Sequence, residues 1–164
     1  MRIRALEPED LELLYTIEND RQQWWMGMQT APLSRYRLRD YIATNEGDIY
    51  KDEQVRFAID DDDNNAVGVI DLFNFSPQNG RAELGVALLK EAQHKGLAQK
   101  AIMQIADYAR SIVSLHQIYA IVPVSNAASL HMLTAVEFVQ TGTLKDWVEH
   151  SGMYEDAAIM QLFL

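Results

Sequence analysis

Residues 83–98 of the chain read ELGVALLKEAQHKGLA and change character halfway through. The first half is rich in Val and Leu, and we interpret residues 82–89 as a strand. From Gly96 onward the apolar residues recur in steps of three and four as far as Ile112, which predicts an amphipathic helix. The segment is therefore expected to form a strand, a short loop and a long helix.

The loop before this helix has the features of an anion-binding site. The first N–H groups of a helix have no partner within it, and the helix dipole adds a positive field, so both favour a diphosphate. Gly96 lets the backbone approach a ligand closely, and small Ala98 leaves room beside the first turn. Gln93 and Lys95 can add a donor or a charge. On spacing alone, a plain strand-to-helix turn is an equally good interpretation.

Flanking patterns predict helices and further strands on both sides of this segment. Helices are expected to begin near Pro8, Ser34 and Asn126, because these residue types favour the first positions of helices. Runs of Val, Ile and aromatic residues predict strands at residues 3–6, 55–59, 66–75, 118–124, 138–141 and 157–163. This order predicts the α/β (α+β) class, as a single domain over residues 1–164 with a central mixed, mostly antiparallel sheet flanked by helices.

Composition excludes several classes of function. The 164 residues include no cysteine, which rules out disulfides, thiolate metal sites and a cysteine nucleophile. A formal net charge of −10 repels nucleic-acid phosphates and anionic membranes and attracts amines, although solubility alone also explains it. No apolar run approaches the ~20 residues that span a bilayer, and the acidic stretch at residues 7–10 is unlike a signal peptide. We therefore expect a cytoplasmic protein with no nucleic-acid or membrane partner.

Five segments resemble the GNAT superfamily of N-acetyltransferases, in the order in which that family has them. Q-x-x-G-x-A at residues 93–98 matches the pyrophosphate loop, and N-A-A-S at residues 126–129 is similar to the second cofactor motif. The other three resemble the branch of ribosomal-protein N-terminal and spermidine acetyltransferases, and they lie at residues 4–11, 68–72 and 142–156. Together the segments span essentially the whole chain.

The resemblance implies an acyl-CoA-dependent N-acetyltransferase, with acetyl-CoA as co-substrate, direct attack by a primary amine in a ternary complex, and no metal. It also implies that the strand at residues 84–89 separates from its neighbour, so that backbone groups are free to hold pantetheine and polarise the thioester carbonyl. The residues expected to bind the cofactor are Val86, Ala87, Leu88, Gln93, His94, Lys95, Gly96, Leu97, Ala98, Asn126 and Ser129.

Candidate catalytic residues are fewer. Glu83 is the first choice as general base, acting directly or through water, although a surface or ion-paired glutamate is an equally good interpretation. His131 is a second candidate, because histidine is a residue type that serves as acid or base, but a lone histidine on a short helix is more often a surface residue. Leu133 stands where many members of the superfamily carry a tyrosine as general acid, and leucine has no proton to donate.

The acceptor side is predicted from Trp24, Trp25, Asp71 and Tyr154. The tryptophans lie in a loop that covers the acceptor pocket in relatives, and they could stack on an amine or belong to the core. Asp71 is a lone acid in an apolar strand, for which a hydrogen-bonded structural role is the alternative. The acceptor is expected to be a small amine or polyamine such as spermidine, or a peptide N-terminal α-amine. Spermidine acetyltransferases tend to carry paired acids in this loop, and their replacement by Gly27-Met28-Gln29 weakens the resemblance to the polyamine enzymes at this point.

A second hypothesis is a coenzyme-A-binding module of the same fold whose activity is lost or regulatory. Leu133 supports it, because the usual proton donor is missing. Binding of coenzyme A with or without amine-dependent thiol release separates the two hypotheses. A homo-oligomer is possible in either case, since the open edges of a mixed sheet favour association.

Overall fold

Seven strands form one sheet in the computed structural model, which describes residues 1–21 and 31–164. In chain order they are β1 (Arg2–Ala5), β2 (Val55–Asp60), β3 (Ala66–Ser76), β4 (Arg81–Leu88), β5 (Gln117–Pro123), β6 (Val139–His150) and β7 (Met153–Phe163). Their order across the sheet is β1-β2-β3-β4-β5-β7-β6. All neighbours are antiparallel except β4 and β5, so the predicted mixed, mostly antiparallel sheet is confirmed.

Helices cover both faces of the sheet. Within the described residues they are α1 (Leu11–Glu18), α2 (Arg35–Thr44), α3 (Ile49–Asp52), α4 (Leu97–Ser111) and α5 (Ala127–Thr134). Successive residues of a strand face opposite sides, so Val69 and Ile70 of β3 mark the two faces. Leu14 of α1 and Leu38 of α2 pack with Val69, whereas Ile105 of α4 packs in the larger core that contains Ile70. Across residues 1–21 and 31–164, no helix has the length and apolar character needed to cross a bilayer.

The helix starts follow from local capping. Ser34 caps α2 as predicted, because its hydroxyl oxygen accepts a hydrogen bond from the Arg37 N–H at 3.2 Å. α4 begins directly after Gly96, also as predicted. Ile112 was expected on the apolar face of this helix, but it follows the last helical residue and is 71% exposed. The prediction for Ile112 is therefore wrong, since the helical period ends before it.

The closing hairpin is longer than the sequence pattern predicts. Residues 138–141 and 157–163 were expected to be strands, whereas β6 and β7 extend together to a turn at residues 151–152. The added part is mostly exposed, and its apolar residues do not alternate, so the sequence pattern does not indicate a strand there. Register shifts after Gln140 and after Leu144 further break the period of two in β6.

One irregularity of the sheet positions the functional site. β4 stays paired with β3 as far as Leu88, but it pairs with β5 only through Arg81, Ala82 and Glu83. Beyond Glu83 the two parallel strands separate, which confirms the expectation drawn from the family resemblance. A gap therefore opens between β4 and β5 in the middle of the sheet.

Candidate active site

The backbone of β4 lines this gap. Leu89 donates its N–H to the Val67 carbonyl of β3 at 2.9 Å. Since hydrogen-bonding groups alternate along an antiparallel strand, Val86 and Leu88 direct their N–H and C=O groups away from β3 and towards the gap. Ala87 turns its backbone to β3 instead, so it can contact a ligand in the gap only through its side chain. The Val86 and Leu88 backbone groups therefore face the gap, and the binding of pantetheine there stays a prediction.

The loop that follows β4 ends in an open helix N-terminus. His94 and Gly96 have positive φ angles of 60° and 73°, which curl the backbone ahead of α4. Gly96 is the capping residue, and no side chain of residues 1–21 or 31–164 caps the helix, so within this part of the chain the first N–H groups of α4 remain available. Among the same residues, a Cβ built on Gly96 would meet only the Gln99 side-chain oxygen, at 3.7 Å, so they leave open space above the turn.

Side chains of the loop divide into two groups. His94 and Lys95 are exposed, whereas Leu97 is 7% exposed and packs in the core, so Leu97 offers only its backbone N–H to a ligand. Gln93 folds back and donates from Nε2 to the Leu88 carbonyl at 3.1 Å, which ties the loop to the end of β4. Uncapped N–H groups, an exposed lysine and open space suit a diphosphate, so these residues fit the anionic part of coenzyme A.

Asn126 and Leu133 are explained by the structure of α5. Asn126 is the N-cap of the helix, and its Oδ1 accepts the Ser129 N–H at 3.1 Å. Leu133 is 2% exposed and belongs to the core, so the position of the usual tyrosine is filled by an apolar contact. His131 lies on the exposed side of the same helix.

Glu83 occupies the point at which β4 and β5 separate. It is the last residue of β4 that pairs with β5, where its partner is Tyr119. Asn74 donates from Nδ2 to the Glu83 carboxylate at 2.9 Å. Burial raises the pKa of Glu83 above its usual value, and the nearby charge of Asp71 adds to the rise, while hydrogen bonds from Asn74 and Tyr119 oppose it. Glu83 is therefore a half-buried carboxylate at the inner end of the gap.

Asp71 lies on the same face of the sheet as Glu83. It pairs with Gly85 across β3 and β4, two positions from the Phe73–Glu83 pair, so the two acids follow one another along that face. Asp71 is 7% exposed and its carboxylate receives two hydrogen bonds from Arg56, at 2.7 and 3.1 Å. Arg56 was not among the predicted site residues, although a lone cation in the apolar strand at residues 55–59 was a signal that an acid lay across from it.

The other predicted acceptor residues lie elsewhere. Trp24 and Trp25 fall outside the described residues. Tyr154 is exposed on β7, seven residues before Gln161, which is the β7 partner of Tyr119. At ~3.3 Å per residue this is ~23 Å along the strand from the Glu83–Tyr119 row. The structure thus brings together Glu83, Asp71 and the β4 backbone, and it separates Tyr154 from them.

Comparison with known proteins identifies the family. Residues 1–139 match the acetyltransferase (GNAT) domain family, and the chain belongs to it. The spermidine N(1)-acetyltransferase of Vibrio cholerae is 27% identical over 164 residues, covering 99% of this chain and 92% of that protein. A putative ribosomal N-acetyltransferase of Bacillus subtilis is 28% identical over 163 residues, covering 98% and 89%.

Solved structures agree with these relatives. The crystal structure of Vibrio cholerae spermidine N-acetyltransferase in complex with CoA and spermine matches with a TM-score of 0.88 and 27% identity, covering 99% of this chain and 94% of that one. A dodecameric structure of the same enzyme matches with a TM-score of 0.81 and 28% identity, covering 99% and 92%. The chain is accordingly an N-acetyltransferase that uses acetyl-CoA and acts on an amine. The predicted family, activity and co-substrate are confirmed.

Proposed function

We propose that the acceptor is a cationic aliphatic amine of the polyamine class, such as spermidine, and that Glu83 accepts its proton. The observation that carries the proposal is the position of Glu83 where β4 and β5 separate, half-buried beside Asp71. Two relatives named as spermidine N(1)-acetyltransferases and a structural neighbour that holds spermine support the choice of amine. The net charge of −10 favours the approach of a polycation.

Binding of the co-substrate is assigned to β4 and to the start of α4. Acetyl-CoA supplies a thioester whose carbonyl carbon bonds to the amine and whose sulfur leaves as a thiolate. The uncapped N–H groups of α4 and the exposed Lys95 would hold the diphosphate. The Val86 backbone groups and the Leu88 N–H, which face the gap, would hold pantetheine, and one of these N–H groups would polarise the carbonyl. Asn126 would act through α5, whose first turn it caps.

The raised pKa of Glu83 suits a general base. An amine that is protonated at neutral pH must lose a proton before its lone pair can attack. A carboxylate whose pKa is raised by burial is a stronger base than an exposed one, which suits Glu83 to proton abstraction. The rising limb of the pH–rate profile should therefore lie above the range of an ordinary glutamate, because the deprotonated form is the active one.

Protonation of the leaving thiolate follows a different route from that of relatives with a tyrosine. Leu133 is buried and apolar, so nothing at that position can donate a proton. His131 is exposed on α5, and its role as acid or base rests on the sequence alone, while Tyr154 lies far along β7 from the row of Glu83. We expect the thiolate to leave without a general acid at position 133 and to be protonated by water.

Thiol release from acetyl-CoA, followed with a thiol-reactive dye, tests this function. Spermidine, spermine, small diamines and peptides with free N-termini form the panel, and the absence of cysteine removes any background from the protein. Glu83→Gln should lower kcat roughly 10²- to 10⁴-fold while coenzyme A still binds. Glu9→Gln, which removes an exposed carboxylate at the start of the chain, should leave the rate unchanged.

Each outcome of the panel assigns a function. Release that depends on polyamines supports the proposal, whereas release only with peptides assigns a peptide α-amine as the acceptor. Binding of coenzyme A without release for any amine would contradict the proposal and favour the binding module. A Glu83→Gln variant with the wild-type rate would remove Glu83 from the mechanism.

We also propose that the protein forms a homo-oligomer in the cytoplasm. The dodecameric neighbour supports assembly, and β6 is an edge strand that carries the exposed Val139 and Trp147. Light scattering coupled to size-exclusion chromatography measures the assembly, and a single monomeric mass at micromolar concentration would contradict it.

A further inference from the structure

We infer that Arg56 is a positioning residue, which holds the Asp71 carboxylate so that its Oδ1 atom binds the ammonium group of the acceptor amine. This inference rests on the proposed function and names the part of the site that recognises the charge of the acceptor. Asp71 is thereby an acceptor-binding residue, and Arg56, Glu18 and Gly85, which were not among the predicted site residues, set its position.

The hydrogen bonds of Asp71 are one-sided. Arg56 donates from Nε at 3.1 Å and from the Nη2 atom at 2.7 Å, and both bonds end on Oδ2. Among the described residues, none donates to Oδ1. Asp71 is only 7% exposed, so an Oδ1 atom without a donor carries a desolvation cost. A hydrogen bond from a ligand N–H would remove that cost. Oδ1 is therefore the free acceptor of this site.

Gly85 defines where Oδ1 points. A Cβ built on Gly85 would lie 2.3 Å from Asp71 Oδ1 and 3.2 Å from the Phe73 ring, so any side chain there would collide with the carboxylate. Gly85 precedes Val86, whose backbone faces the gap between β4 and β5. Asp71 Oδ1 thus lies against β4 at Gly85. Along β4, Gly85 is one residue before Val86, whose backbone is assigned to the co-substrate, and two residues after Glu83.

Arg56 is fixed from its other side. Its Nη1 atom donates to the Glu18 carboxylate at 2.6 Å, and the side chains of Arg56, Glu18 and Asp71 are 21%, 13% and 11% exposed. Bonds to two acids on different elements, α1 and β3, prevent the guanidinium from rotating. Because a planar guanidinium donates in fixed directions, the orientation of Asp71 is set as well.

The charge of the cluster favours a cation. The two carboxylates and one guanidinium of this triad carry a formal charge of −1, and all three side chains are largely buried. Tyr41 lies against the cluster, with its ring 5.7 Å from the Arg56 guanidinium carbon, and its buried hydroxyl has no hydrogen-bond partner in the described part of the chain. A charge-assisted hydrogen bond from an alkylammonium group to Oδ1 would compensate the remaining charge of the triad.

Calorimetric binding of spermidine to the protein with coenzyme A present tests the inference, with a different amine in its place if the thiol-release panel selects one. Asp71→Asn keeps the shape and removes the charge, so it should weaken amine binding about 10- to 100-fold. Gly85→Ala and Arg56→Gln should have the same effect, because each displaces Oδ1. Affinity for coenzyme A should not change. Asp107→Asn removes an equal charge from α4 on the opposite face and should leave amine binding unaltered.

The outcomes separate this inference from the proposed function. Amine binding to Asp71→Asn as tight as to the wild type, or no amine binding to the wild type, would overturn the inference. Equal losses of amine and coenzyme A affinity in Asp71→Asn would also overturn it, since they indicate a structural role. Wild-type amine binding without thiol release would leave the inference standing and would contradict turnover. If Gly85→Ala or Arg56→Gln fails to fold, the isosteric Asp71→Asn still tests whether Asp71 binds the amine.

Discussion

Two arginines of this protein each bridge a pair of acids, and the two clusters differ in how completely the acids are satisfied. Arg4 joins Asp10 and Asp60 near the start of the chain. There all four carboxylate oxygens accept hydrogen bonds, with additional donors from Arg2 and the Glu7 backbone. Arg56 joins Glu18 and Asp71, and the Oδ1 atom of Asp71 accepts no bond from the described residues.

Burial alone does not separate these clusters. Asp10, Asp60 and Asp71 are 3%, 1% and 7% exposed, so each is a buried carboxylate paired with an arginine. The difference lies in the oxygen that is left over and in its position beside the gap of the sheet. A fully satisfied cluster holds elements together, whereas a cluster with a free acceptor at the site can also bind a ligand.

The largest expected effect is on stability, at the closed cluster. Arg4→Met leaves Asp60 with the Arg2 bond alone and Asp10 without a cation, so we expect a loss of about 3–5 kcal/mol in the free energy of unfolding. Urea unfolding measures it. Arg2→Met is the matched control, because the same Asp60 oxygen accepts from Arg2, whose side chain is 62% exposed, and we expect a loss of at most about 1 kcal/mol. Equal losses in the two variants would show that the bonds of Arg4 contribute no more to stability than the exposed bond of Arg2.

The Arg4 cluster should also affect how the stability of the protein depends on pH in the acid range, and this effect is expected to be smaller. Burial by itself would raise the pKa of Asp10, but hydrogen bonds from Arg4 and the Glu7 N–H, with the charge of Arg4, lower it below its ordinary 3.8. A depressed folded-state pKa contributes stability that is present above the unfolded value and is lost as the pH falls through the folded one. Unfolding midpoints between pH 6 and pH 2 should therefore fall less steeply in Arg4→Met than in the wild type. Parallel curves would mean that Asp10 is not the group responsible.

Local patterns predicted the elements of the sheet where the apolar residues alternate or cluster, as in β2 and β3. They failed in the outer part of the β6–β7 hairpin, where most residues are exposed and no apolar alternation marks the strands. The cofactor loop at residues 93–98 was recognised by resemblance, because its function depends on consecutive backbone groups. Arg56 and its one-sided bond to Asp71 could not be read in the same way. Its partners lie 15 and 38 residues away in the chain, and strand register and helix docking bring them together.

The smallest effect on stability is expected at a third arginine–acid pair, Arg35 with Glu12, which resembles the Arg4 and Arg56 clusters only in its geometry. Arg35 donates to both oxygens of Glu12, at 2.8 and 2.9 Å, and it also lies 3.7 Å from the Tyr15 ring centroid. Both side chains are exposed, at 49% and 66%, so water already solvates the charges and salt screens them. Glu12→Gln removes the ion pair while leaving the contact of Arg35 with the ring. Its urea midpoint should match that of the wild type within error at 0.15 M salt. A loss as large as that of Arg4→Met would show that bidentate geometry, rather than burial, sets the energy of these pairs.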